Sequence, residues 1–205
     1  MRFIVPFVAA GLASAGLLET VIKRDDYWGG SVSLGPSKST IINAVTTLIP
    51  GPAPPTQNGV LFLWPGMSNG TGDLVQTTLE SWSSNAWCGA TTGQWCVRAS
   101  VFGSFGQLDG TGSPVSGTDE VRIEYNLESD GQTWTQYGTG TECDNSCSGT
   151  IAAQKYLNTV ITLAEADATF GSTISSAGGA TYTEVMSSQG GKAWTIKEID
   201  IPSMH

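Results

Sequence analysis

The sequence predicts an all-β fold: an antiparallel β-sandwich of jelly-roll, concanavalin-like type, held by two local disulfides. Three observations carry this expectation. Glycine is abundant (26 of 205 residues) while charged residues make up only 13%. Short alternating segments stand between turn signals, with almost no apolar pattern of helical period. Four cysteines fall as two close pairs, Cys88 with Cys96 and Cys143 with Cys147. An even cysteine count reads as a disulfide framework in an oxidising compartment. Each pair brackets turn residues, Gly89-Ala90-Thr91-Thr92-Gly93 and Asp144-Asn145-Ser146, so each bridge would pin one loop. Zinc is the rival reading of such spacing, but no histidine neighbours the cysteines.

The elements follow in chain order. Met1-Arg2 precedes an apolar run from Phe3 to Ala15 that closes on Ala13-Ser14-Ala15, the pattern of a signal peptide over residues 1–15. The run is shorter than the roughly 20 apolar residues a membrane helix needs. Residues 16–24 read as a short propeptide or flexible arm ending in the dibasic Lys23-Arg24, and residues 25–205 as a single sandwich domain in the secretory pathway. Pro50-Gly51-Pro52-Ala53-Pro54-Pro55 cannot join a ladder and is expected to cross between sheets. Val60-Leu61-Phe62-Leu63-Trp64 reads as a strand buried on both faces and stopped by Pro65-Gly66. Asn69-Gly70-Thr71 is a glycosylation sequon on Asn69 and implies a surface loop. Trp95 to Phe105 alternates, with Trp95, Val97, Ala99 and Val101 on one face and Cys96, Arg98, Ser100 and Phe102 on the other. Val121, Ile123, Tyr125 and Leu127 form a half-buried strand whose opposite face carries Arg122, Glu124, Asn126 and Glu128. Thr133 to Gln136 and Tyr156 to Leu163 read as further strands, and Leu163 to Ala168 as the one short helix. In the last strand Trp194 and Ile196 are out of phase with Ile199 and Ile201, which predicts a bulge or burial on both faces.

Charge and histidine content narrow the chemistry. Subtracting Arg2, Lys23 and Arg24 from nine basic residues, and Glu19 from eighteen acidic ones, leaves six against seventeen. Such a domain repels phosphate backbones and anionic membranes, so neither nucleic acid nor membrane is an expected partner. The only histidine is His205, the last residue. That argues against a Ser-His-Asp or Cys-His nucleophile and against the usual metal sites. Carboxylates, Tyr, Arg, amides and shape remain, and no cofactor or metal is expected. Seven tryptophans are available as core or as ring-stacking surface. Trp64, Trp82, Trp87, Trp95 and Trp134 lie near loops or polar positions, whereas Trp28 and Trp194 read as structural. Arg122 and Glu124 are alternate residues on one strand face, so the guanidinium can hold the carboxylate or a ligand oxygen; a solvated outer face fits equally. Gln76 and Glu80 follow strand-like Leu74-Val75 and would meet this stripe across a groove. Glu142, beside Cys143, would be held by a small disulfide loop. Glu124, Arg122, Glu80 and Glu142 are thus the catalytic candidates, and Trp64, Gln76, Tyr125, Trp134 and Gln136 the binding candidates.

Three families bear comparison. Glu198-Ile199-Asp200-Ile201 only half echoes the Glu-x-Asp-x-x-Glu of concanavalin-like glucanases, because Pro202-Ser203-Met204 replaces the second glutamate. Trp28-Gly29-Gly30 is similar to the start of the fungal glutamic peptidases, which use a Gln/Glu pair without histidine; their aromatic-rich glutamate strand is not reproduced by Ile123-Glu124-Tyr125-Asn126. The phrases Leu61-Phe62-Leu63-Trp64-Pro65-Gly66-Met67, Phe102-Gly103-Ser104-Phe105-Gly106-Gln107-Leu108-Asp109-Gly110 and Gly138-Thr139-Gly140-Thr141-Glu142-Cys143 resemble a group of secreted fungal proteins. The characterised group these resemble is the hetero-Diels-Alderases of tropolone-sesquiterpene biosynthesis. That resemblance implies small-molecule partners, a polyketide tropolone and a humulene-type terpene. The tropolone would lose water to an o-quinone methide, with Glu124, Glu80 or Glu142 as general acid and Arg122 or Gln76 polarising its carbonyl. It also implies a strand and turn after Trp134-Thr135-Gln136 that this chain lacks. A secreted carbohydrate-binding or polysaccharide-cleaving sandwich, with a glycan partner, is the alternative, and a glutamic-peptidase-like protein is the minor one.

Overall fold

Alternation of apolar and polar residues along short segments makes strands that are each half a core, and two sheets of them must close on one another. In the computed structural model, residues 27–129, 133–144 and 146–205 are described; the readings on residues 1–26, including the signal peptide and Lys23-Arg24, lie outside them. The strands are β1 (Tyr27–Trp28), β2 (Ser31–Leu34), β3 (Ile41–Ile49), β4 (Val60–Ser68), β5 (Leu74–Ser81), β6 (Trp95–Gly103), β7 (Gly106–Asp109) and β8 (Ser113–Val115). They continue as β9 (Val121–Asn126), β10 (Gln136–Asp144), β11 (Gln154–Leu163), β12 (Ser175–Ala177), β13 (Thr181–Tyr182), β14 (Val185–Ser188) and β15 (Ala193–Ile201).

One sheet has nine strands in the order β12-β2-β10-β4-β5-β6-β7, with β1 on β10 and β8 on β6. The other has six in the order β13-β15-β11-β3-β9, with β14 on β15. The chain is therefore an antiparallel sandwich. Between the sheets lie Leu61, Leu63, Leu79, Trp95 and Tyr137 from the first and Leu48, Ile123, Tyr156, Ile161 and Ile199 from the second. Both disulfides join the expected partners, Cys88 to Cys96 and Cys143 to Cys147, as fits an oxidising compartment. The proline-rich stretch carries the chain from β3 to β4 and so crosses between sheets. It is tied down where Gly51 accepts the Trp95 indole N–H (2.8 Å) and Ala53 donates to the Gly93 carbonyl (3.2 Å).

Several local expectations need correction. The Val60 run does not stop at Pro65-Gly66: β4 continues to Ser68, and Thr139 of β10 pairs opposite Pro65. The missing proline N–H is accommodated by a gap in the ladder to β5, which closes again at Gly66↔Gln76. The segment Trp95 to Phe105 is a strand and a turn, with β7 returning from Gly106 at φ +90°. Only Gln136 of the segment from Thr133 is in a strand; Thr135 instead donates to Ser68 and accepts from Ser37. Leu163 to Ala168 is not a helix, because its N–H groups are drawn to the neighbouring segment. Ala164 donates to Thr40 and Glu165 to Ser39 Oγ, while the Asp167 carboxylate accepts from Lys38 and Thr169. The phase change in the last strand is a bulge shared with β11. Register between β11 and β3 slips between Leu157 and Val160, where Asn158 has φ +51°.

Candidate functional site

Alternation on β5 sends Thr77 and Leu79 into the core and Gln76, Thr78 and Glu80 to the outer face of the nine-stranded sheet. Register then sets their neighbours. Gln76 pairs with Gly66, which pairs with Gly138, while Ser100 and then Asp109 stand on its other side. Trp64 pairs with Gly140, and Glu142 with Phe62, which pairs with Glu80. The Trp64 indole fills the space above Gly140, where a Cβ would sit 2.7 Å from the ring. A Cβ on Gly66 would come within 2.9 Å of the Val75 carbonyl, whereas one on Gly138 would meet its nearest atom at 3.6 Å. The two glycines carry no side chain beside Trp64 and Gln76 and so form a floor, one that the Leu74 side chain overlaps at Gly66, with its Cδ1 3.0 Å from where a Cβ would sit. Gln136 lies on the same face, buried beside Gly35 and Gly70, and its Oε1 has no hydrogen-bond partner among the described residues.

Glu80 is fully buried and accepts four hydrogen bonds: from Thr78 Oγ1 (2.7 Å), Arg98 Nε (2.7 Å), Arg98 Nη2 (2.8 Å) and Trp82 Nε1 (2.8 Å). Arg98 also reaches Asp109 at 3.2 Å and lies 4.9 Å from the centre of the Trp87 ring. This fork-on-carboxylate geometry is a strong, directional pair. With donors on both oxygens, Glu80 is an acceptor hub that ties Arg98 and Trp82 to β5.

The polar stripe lies elsewhere. Arg122 and Glu124 occupy the outer face of the six-stranded sheet, across the core from Gln76 and Glu80, so the expected groove between them does not exist. Arg122 is 62% exposed and bonds Glu124 at 2.6 Å; Asn43 donates to the same carboxylate at 3.0 Å. The Arg122 guanidinium first, and the Asn43 amide second, hold the Glu124 carboxyl below the usual carboxylate range, which unsuits it as a general acid. Tyr125 points inward, donating to the Pro65 carbonyl (2.9 Å) and sitting 3.2 Å from Thr77 Oγ1. Burial raises its hydroxyl well above the ordinary value. Trp134 packs against the core, and Trp95 is wholly buried. Of the two tryptophans expected to be structural, Trp194 is buried edge-on to Phe170, but Trp28 is 66% exposed. Asn69 sits in a surface turn, its amide donating to Asp73.

The structure thus brings together Trp64, Gln76, Glu80, Gln136 and Glu142 on one sheet face and separates Arg122, Glu124, Tyr125 and Trp134 from it. Sequence reasoning missed Arg98 as the partner of Glu80 and Asp109 as the second carboxylate on Arg98. Arg98 was visible on the polar face of its strand, but pairing across strands leaves no linear spacing to read. Clefts elsewhere are less aromatic: one of about 440 Å³ is lined by Ile49, Lys155, Thr181, Asp200 and Pro202. There Asp200 and Glu198 raise the Lys155 amine well above its ordinary value. Among the described residues no cluster of three or more His, Cys, Asp or Glu could hold a metal.

No family model matches this chain, and no curated protein matches it. Among solved structures, it is similar to scytalido-glutamic peptidase with a peptide-based transition state analog, at 12% identity over 85% of this chain and 98% of that one, with a TM-score of 0.48. It is also similar to SCP-B, a member of the Eqolisin family of peptidases in a complex with the tripeptide Ala-Ile-His, at 11% identity over 88% of this chain and 100% of that one, with a TM-score of 0.38.

Proposed function

We propose that this chain is a cofactor-independent enzyme that works by holding two small molecules together on the outer face of its nine-stranded sheet, and that its reaction is a hetero-Diels–Alder coupling of a tropolone with a humulene-type sesquiterpene. The observation that supports this reading is the Gly66–Gly138 floor between Trp64 and Gln76. A flat ring fits against such a floor and an indole, with the Gln76 amide donating to the tropolone carbonyl. Glu142 stands one row from Trp64 on the same face and takes the role of general acid. It protonates the hydroxymethyl group, water departs with that proton, and the ring hydroxyl gives its own proton back to the Glu142 carboxylate to leave the neutral o-quinone methide. The terpene alkene then adds, forming one C–C and one C–O bond, with no net transfer of electrons to or from the protein. Proximity in a near-attack pose rewards this step by several kcal/mol. The glutamic-peptidase-like reading finds both of its residue types on this face, Gln76 and Glu142.

Incubation of the purified protein with a hydroxymethyl tropolone and a humulene alcohol tests the proposal. The expected result is a coupled product, with turnover falling roughly 10²- to 10⁴-fold in Glu142→Gln and by about 10²-fold or more in Gln76→Ala. Glu124→Gln, on the other sheet, should leave turnover unchanged. Coupling no faster than without protein would overturn it.

A further inference from the structure

Trp82 and Trp87 are 40% and 45% exposed, yet neither is loosely held. The Trp82 backbone donates to Asn85 Oδ1 (2.8 Å) and its indole N–H to the buried Glu80 (2.8 Å). Trp87 rests against the Arg98 guanidinium, itself forked onto Glu80. It also lies against Gly112, where a Cβ would fall 2.4 Å from the ring. The next residue, Cys88, is bonded to Cys96 on β6, and Gly89 takes φ +82° to turn the chain back. Both indoles are therefore fixed through one carboxylate while part of each, 40% of Trp82 and 45% of Trp87, stays in solvent. Aromatic surface that is held rigid but left uncovered binds at low entropic cost.

The surroundings say what would bind. Residues 81–97 contain no charged side chain and carry Ser83, Ser84, Thr91, Thr92 and Gln94. The charged groups against the indoles are Arg98 and its carboxylate partners Glu80 and Asp109, which are spent on one another. Exposed indole surface in a segment rich in hydroxyls and amides matches the C–H faces and hydroxyl edges of pyranose rings.

We propose that Trp82 and Trp87 form a stacking platform for a neutral oligosaccharide, on the same sheet face as the Trp64–Gln76 floor and at its Glu80 end. Affinity electrophoresis of the full chain through gels containing neutral β-glucan, xylan or galactomannan tests it. At least one polysaccharide should retard the wild type. Trp82→Ala and Trp87→Ala should each weaken retention about tenfold or more, and Trp87→Tyr, which keeps a ring, should recover most of it. Trp28→Ala, exposed but on β1 and separated from Glu80 by β10 and β4, and Gln76→Ala, on the coupling floor, should migrate as wild type. Absence of retardation on all three polysaccharides, or equal loss in Trp28→Ala, overturns the proposal without touching the coupling reaction.

Discussion

Two acids, Glu80 and Asp167, show how this chain uses buried carboxylates: as acceptors that tie loops to the sandwich. Asp167 is 4% exposed and accepts from Thr169 Oγ1 (2.6 Å), Thr169 N–H (3.0 Å) and Lys38 N–H (2.9 Å). The Thr169 hydroxyl, and next the Lys38 backbone, hold its carboxyl below the ordinary 3.8. A depressed native value contributes stability that is present above the unfolded value and lost as pH falls through the native one. Asp167→Asn should therefore lower the melting temperature by several degrees at pH 7, and the gap from wild type should close as pH drops below 3.8. Thermal scans across pH would show it; a gap independent of pH would mean the carboxylate charge is irrelevant. Roles of this kind were not legible in the sequence. Glu80, Glu124 and Glu142 look alike as letters, and what separates them is a partner 18 residues away in Arg98, a surface guanidinium two residues away in Arg122, and a sheet register.

At the scale of elements, the bulge on β11 is the feature the sequence announced most clearly and located least well. The phase break between Ile196 and Ile199 is visible in β15, but β15 pairs with β11 without slippage, and the extra residue sits against β3 at Asn158. Asn tolerates the left-handed backbone there, and β-branched residues do not. Asn158→Val should cost about 1–2 kcal/mol in denaturant unfolding, whereas Asn158→Gly should be close to neutral. Equal losses in both would point to the side chain and not the backbone. The misread elements share one cause. Pro65 was taken as a stop and Leu163–Ala168 as a helix because local propensity was read without the neighbours that supply or remove hydrogen bonds.

For the whole molecule, fold class and disulfide pairing were legible because alternation and cysteine spacing are local. Trp64, Gln76 and Gln136 were legible as polar or aromatic positions on strands, but their convergence depends on β10, β4 and β5 being neighbours, which no spacing encodes. The core holds a further surprise in its tyrosines. Tyr156 is wholly buried with no hydrogen-bond partner for its hydroxyl among the described residues, and burial pushes that hydroxyl well above its ordinary value. Leaving such a group unpaired costs stability, whereas removing it with shape retained does not. Tyr156→Phe should therefore be neutral or raise the unfolding midpoint, while Tyr125→Phe, which loses its bond to Pro65, should lower it by about 1 kcal/mol. Denaturant unfolding of the pair decides this, and a destabilised Tyr156→Phe would contradict it.

The strand order has a kinetic consequence. β2 pairs with β10 more than a hundred residues on, and β3 must find both β9 and β11. The chain therefore closes long loops before either sheet gains its ladder, and such topologies fold in milliseconds to seconds. Both disulfides span short loops, eight and four residues apart, so neither shortens that search. The nascent chain must keep its apolar strands from pairing with other copies until β10 and β11 have emerged, and the low charge of its strands makes that interval its most aggregation-exposed.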